Sequence, residues 1–92
     1  MKHSKQEYND TMKIFYARLE MKHRLKGTTH REMSMSELWL ILSDELKELD
    51  TEITKGNGTK TIEEALDVMI CALLIADKTY EEYKQFIQGD GD

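Results

Sequence analysis

The chain has 92 residues, of which 39% are hydrophobic and 34% charged. That length holds one domain, and the balance is too apolar for a disordered chain and too charged for a membrane-embedded one. The formal net charge of −5 argues against nucleic acid as a partner.

Residues 1–92 are therefore expected to form a single domain, with 1–4 and 89–92 frayed. The one cysteine, Cys71, sits inside an apolar run, which rules out a disulfide framework and fits a reducing compartment. The opening MKHSKQEYND lacks the apolar core of a signal peptide. The longest apolar run, Val68 to Ala76, is nine residues long, whereas a membrane-spanning helix needs about 20. A cytoplasmic protein with no membrane partner is the expectation.

There is no proline, and every glycine falls outside the periodic segments, a pattern that favours long helices. Four Ser/Thr-x-x-Glu capping boxes suggest four helix starts: Ser4 with Glu7, Ser34 with Glu37, Thr61 with Glu64 and Thr79 with Glu82. The first helix should span about 5–26, with Tyr8, Met12, Phe15 and Leu19 on one stripe. Gly27 should end it, and Lys22, Arg24 and Lys26 suit the negative end of its dipole. The second, about 35–55, carries Leu38, Leu42, Leu46, Leu49 and Ile53 on one face, with Trp39 at its edge. Gly56-Asn57-Gly58 reads as a short turn, so the next helix should return antiparallel.

That third helix, about 62–78, is apolar nearly all round after its first turn, and such a helix must be surrounded. A chain this short can hardly cover it, which points to a homo-oligomer. A short fourth helix, about 80–88, should turn Tyr80, Tyr83, Phe86 and Ile87 inward. The expected fold is all-α: an antiparallel bundle of three main helices plus a short C-terminal helix, completed by oligomerisation.

The acids carry the functional signal. Glu45 and Glu48 lie three apart on the second helix and border its apolar stripe. Glu64 and Asp67 have the same spacing on the third. Packed side by side, the two helices can bring these carboxylates together, where they repel until protonated or bound to a cation. Oxygen ligands alone suit a hard ion such as Mg²⁺ or Mn²⁺, and Mg²⁺ commonly bridges phosphate oxygens. The bland reading is that Glu64 only completes a capping box and that Glu45 and Glu48 are solvated edge charges. Asp67 resists it, because it lies past the first turn with no Lys or Arg at i+3 or i+4.

The run Asp44-Glu45-Leu46-Lys47-Glu48, fifteen residues, then Glu64-Ala65-Leu66-Asp67 resembles the E-E-x-x-E … E-x-x-D signature of the MazG-like all-α nucleoside triphosphate pyrophosphohydrolases. Asp stands in place of the first Glu, and the likeness covers about residues 12–78. The resemblance implies Mg²⁺ coordination by Glu45, Glu48, Glu64 and Asp67, with catalysis by Glu45 and Glu48. It also implies cleavage of a (d)NTP to the monophosphate and pyrophosphate, and assembly as a dimer or tetramer.

A triphosphate needs cations besides the metal. Lys22, Arg24, Lys26, His30, Arg31 and Lys78 are candidates, and Trp39 is a candidate platform for the base. There is no G-K-[ST] phosphate loop. Two other readings stand beside this one. Glu20-Met21-Lys22-His23 is a single E-x-x-H unit, where di-iron bundles need a pair. The same scaffold could also serve as a non-catalytic helical interaction or regulatory module.

Overall fold

The computed structural model describes residues 5–26 and 32–91, with the side chains of 5, 6, 23–26, 85 and 87–91 left aside. The described residues form three helices and no strand: α1 (Lys5–Lys26), α2 (Met35–Lys55) and α3 (Gly58–Gly91).

The second helix is punctuated as its sequence dictates. Ser34 Oγ accepts the Glu37 N–H at 3.1 Å, and the Glu37 carboxylate accepts the Ser34 N–H at 3.2 Å. Two free first-turn donors are thereby satisfied reciprocally. At the other end Gly56 sits at φ 72°, in the left-handed region. The Gly56 N–H donates to the Ile53 carbonyl and the Asn57 N–H to the Glu52 carbonyl, closing the helix by a Schellman motif that a Cβ at position 56 would strain.

The start of α3 differs from the expectation. Asn57, not Thr61, caps the helix: its side-chain oxygen accepts the Lys60 N–H at 3.1 Å, and its carbonyl accepts the Thr61 N–H at 2.8 Å. Thr61 then lies one turn inside. The fourth helix is also not separate, because α3 runs unbroken through Thr79 to Gly91. No glycine or proline interrupts residues 59–88. An ion pair bridges the expected break, Lys78 to Glu82 at 3.3 Å, and Lys84 pairs with Glu81 at 3.7 Å just beyond it. The expected stop at Gly27 and the box at Ser4 lie outside the described residues.

The tight turn folds α3 back along α2, and α1 docks on α3 but, among the described residues, not on α2. Phe15, Leu66 and Ile70 are buried together at the α1–α3 seam, with Met12, Leu19 and Leu74 against them. Leu38 and Cys71 are the other buried hydrophobic residues among those described.

At about 1.5 Å per residue, α3 is roughly 51 Å long and α2 roughly 31 Å, so the last few turns of α3 project beyond its partner. The longest dimension of the molecule is accordingly 52 Å, and its radius of gyration is 15.8 Å, against about 12 Å for a compact chain of this length. Tyr80, Tyr83 and Phe86 fall on that projection and are exposed rather than inward. Leu46 and Ile53 of the expected α2 stripe, and Tyr8 of the α1 stripe, are likewise exposed. No helix among the described residues is long and apolar enough to cross a membrane.

Candidate metal centre

Helical spacing places the acids. Residues three apart on α3 differ by about 60° around the axis, so Glu64 can face α2 while Asp67 faces α1. Glu45 and Glu48, one turn apart on α2, share a face. The hairpin brings Glu45, Glu48 and Glu64 together, with one carboxylate oxygen of each within 4.8 Å of the others. Ligands on opposite sides of an octahedral Mg²⁺ are about 4.2 Å apart. Small side-chain rotations would therefore close this cluster onto one ion.

The cluster is under electrostatic stress. Burial pushes the Glu45 carboxyl up to about 7, reinforced by the negative charge of Glu48, the contact with Glu64 and the field of Asp67. Burial also raises the Glu64 carboxyl, with Glu48 the next contributor in the same direction. Glu45 Oε2 and Glu64 Oε2 are both buried without a hydrogen-bond partner. A buried, unpartnered carboxylate oxygen costs roughly 1–3 kcal/mol. A hard cation on three carboxylates would relieve both the repulsion and the desolvation. The donor set fits one: all oxygen, all anionic, with no His or Cys in the cluster.

Asp67 sits differently. It is 6% exposed and takes a fork from α1: Arg18 Nε to Oδ1 at 2.6 Å and Nη2 to Oδ2 at 3.0 Å. Lys22 Nζ lies 3.7 Å from the same Oδ1. The expectation that Asp67 lacks a cation held only within its own helix, since its partner comes from 49 residues upstream. Asp67 is still close enough to raise the Glu45 and Glu64 carboxyls, so it stands between the glutamate cluster and the cations of α1.

The remaining candidates scatter. Lys22 is brought to the site through Asp67. Lys78 pairs with Glu82 and lies about 21 Å along α3 from Glu64. Trp39 is 58% exposed on α2. His30 and Arg31 lie outside the described residues, as do the side chains of Arg24 and Lys26. Arg18 is the site residue that the sequence reading passed over. Its signal was present: it follows Phe15 by three, a cation beside the buried stripe of α1.

Comparison of the chain with protein-family models, curated proteins and solved structures finds no significant match. The likeness to the MazG-like pyrophosphohydrolases rests on the acidic motif and its spacing.

Proposed function

We propose that the protein is a Mg²⁺-dependent nucleoside triphosphate pyrophosphohydrolase that converts a (d)NTP to the monophosphate and pyrophosphate. One observation carries the reading: three glutamates from two helices converge to within 4.8 Å, and two of their oxygens are buried and unpartnered. Glu45, Glu48 and Glu64 would hold Mg²⁺ or Mn²⁺. Asp67 would be the fourth ligand, through the lone pairs that its fork with Arg18 leaves open. The ion, when bound, supplies charge neutralisation for the phosphates and acidifies a coordinated water.

In the reaction, water adds at the α-phosphorus, the bond from it to the bridging α–β oxygen breaks, and pyrophosphate leaves. Glu45 and Glu48 are the carboxylates assigned to take the proton of the attacking water. The apolar helix α3 holds Glu64 and Asp67 in register with them.

In this reading two or more copies assemble. The five buried hydrophobic residues among the described ones make a small core, and Leu40, Ile62, Leu73 and Phe86 are exposed. Incubation with each common dNTP and NTP plus Mg²⁺, with products resolved by anion exchange, tests the chemistry. Monophosphate and pyrophosphate in equal amounts are expected. No turnover of any nucleotide, or turnover unchanged in Glu45→Ala, would exclude it.

A further inference from the structure

We propose that Arg18, oriented by Asp67, and Lys22 beside it bind the anionic polyphosphate of the substrate on the α1 flank of the glutamate cluster. The inference builds on the cation-site reading and adds to it a residue and a ligand chemistry.

The geometry of the fork supports it. Its two hydrogen bonds use the Nε hydrogen of Arg18 and one hydrogen on Nη2. The Nη1 edge and the second Nη2 hydrogen are left to point elsewhere, and guanidinium edges match phosphate oxygens bidentately. The Arg18 side chain is 22% exposed and that of Asp67 only 8%. The carboxylate is thus the buried anchor, and the guanidinium reaches outward from it.

The charges point the same way. One bidentate arginine already engages both oxygens of Asp67, yet Lys22 stands 3.7 Å from one of them. Lys22 follows Arg18 by one turn on α1, and both side chains are part-buried. With Glu63 and Glu64 also acting on Arg18 the neighbourhood is not positive overall, but the second cation sets another N–H donor beside the guanidinium, where one anion can reach both. A clamp that only fixed α1 to α3 would need no second cation.

Placement completes the case. Glu64 precedes Asp67 by one turn, and the negative charges of Glu63 and Glu64 act on Arg18. Arg18 therefore flanks the glutamate cluster. A triphosphate chain lying between them would meet carboxylate-bound Mg²⁺ on one side and the guanidinium on the other, the arrangement that stabilises charge spread over phosphoryl oxygens.

Isothermal titration with inorganic tripolyphosphate in the presence of Mg²⁺ tests this directly. Wild type should bind. Arg18→Gln should weaken binding by about 10- to 100-fold, the loss expected for hydrogen bonds to a charged group, and Lys22→Gln should weaken it less. Arg18→Lys keeps one charge on Asp67 and supplies a milder disruption of the fold. It should bind tripolyphosphate with intermediate affinity and, in turnover, raise KM more than it lowers kcat. Mg²⁺ titrated alone should still bind Arg18→Lys, since the guanidinium touches none of the three glutamates in this assignment and the lysine keeps a cation beside Asp67. Tripolyphosphate affinity equal in wild type, Arg18→Lys and Arg18→Gln would overturn the proposal, as would no binding to wild type. Binding that depends on Arg18 but not on Mg²⁺ would uphold Arg18 and remove the cation-site reading instead.

Discussion

Arg18 on α1 and Asp67 on α3 meet in a two-bond fork, Nε to Oδ1 at 2.6 Å and Nη2 to Oδ2 at 3.0 Å. The contact fastens the first helix to the edge of an acidic cluster built by the other two. Asp67→Asn should destabilise the protein by about 2–3 kcal/mol, below the range for a fully buried pair because Arg18 is partly solvated. In a domain of this size that lowers Tm on the order of 10 °C or more. Replacing both residues by apolar ones, Arg18→Met with Asp67→Leu, should cost less than Asp67→Asn alone, because the guanidinium is then no longer stranded and Lys22 can turn to solvent. Thermal unfolding followed by circular dichroism measures both.

The raised carboxyl of Glu45 predicts how stability depends on pH. A carboxyl whose folded pKa lies above its unfolded value binds its proton more tightly when folded. Its contribution is fully present below the unfolded pKa, near 4.5, and is lost as pH rises through about 7. With divalent ions removed by chelation, Tm should fall across that window, and Glu45→Gln should flatten the fall. An equal slope in wild type and Glu45→Gln would contradict the assignment.

Removing an acid should separate stability from cation binding. Without divalent ions at pH 8, Glu64→Gln should melt higher than wild type, because one repelling charge has gone. Saturating Mg²⁺ should then stabilise wild type by about 2.7 kcal/mol at a hundred times its Kd, and the variant by much less. Glu81→Gln, on the projecting end of α3, should leave the Mg²⁺ effect unchanged.

The packing makes a contrasting pair of predictions. Phe15 is 6% exposed and joins α1 to α3, so Phe15→Ala should cost about 3–5 kcal/mol. Phe86 is 67% exposed, so Phe86→Ala in a monomer should fall within about 0.5 kcal/mol of wild type. A large loss for Phe86→Ala, together with a smaller mass by light scattering, would place that residue in a contact between copies.

Local chemistry made α2 readable from the sequence. Ser34, Glu37 and Gly56 act within a turn of themselves, and the bounds of α2 follow from them. The pairing of Glu45 and Glu48 with Glu64 was also legible, since a turn as short as Gly56-Asn57 leaves little freedom in how α3 returns. Thr61 and Thr79 misled because a capping-box pattern marks a helix start only where the backbone before it is not helical. Asn57 had already begun α3, and nothing between 59 and 88 could end it. The exposure of Tyr80, Tyr83 and Phe86 depended on relative helix length, since periodicity gives a stripe but not what lies opposite. The Arg18–Asp67 fork joins residues 49 apart, and only the docking of Phe15 on Leu66 and Ile70 sets its register.

Calorimetric titration of Mg²⁺ into the chelator-treated protein at pH 7 tests the glutamate cluster most directly. The expected result is saturable binding near one ion per chain. It should be accompanied by proton release that makes the heat depend on the buffer, because Glu45 must give up its proton, and it should be abolished in a Glu45→Gln, Glu64→Gln double variant. Absence of saturable binding, or equal binding by the folded double variant, would contradict a metal centre at Glu45, Glu48 and Glu64.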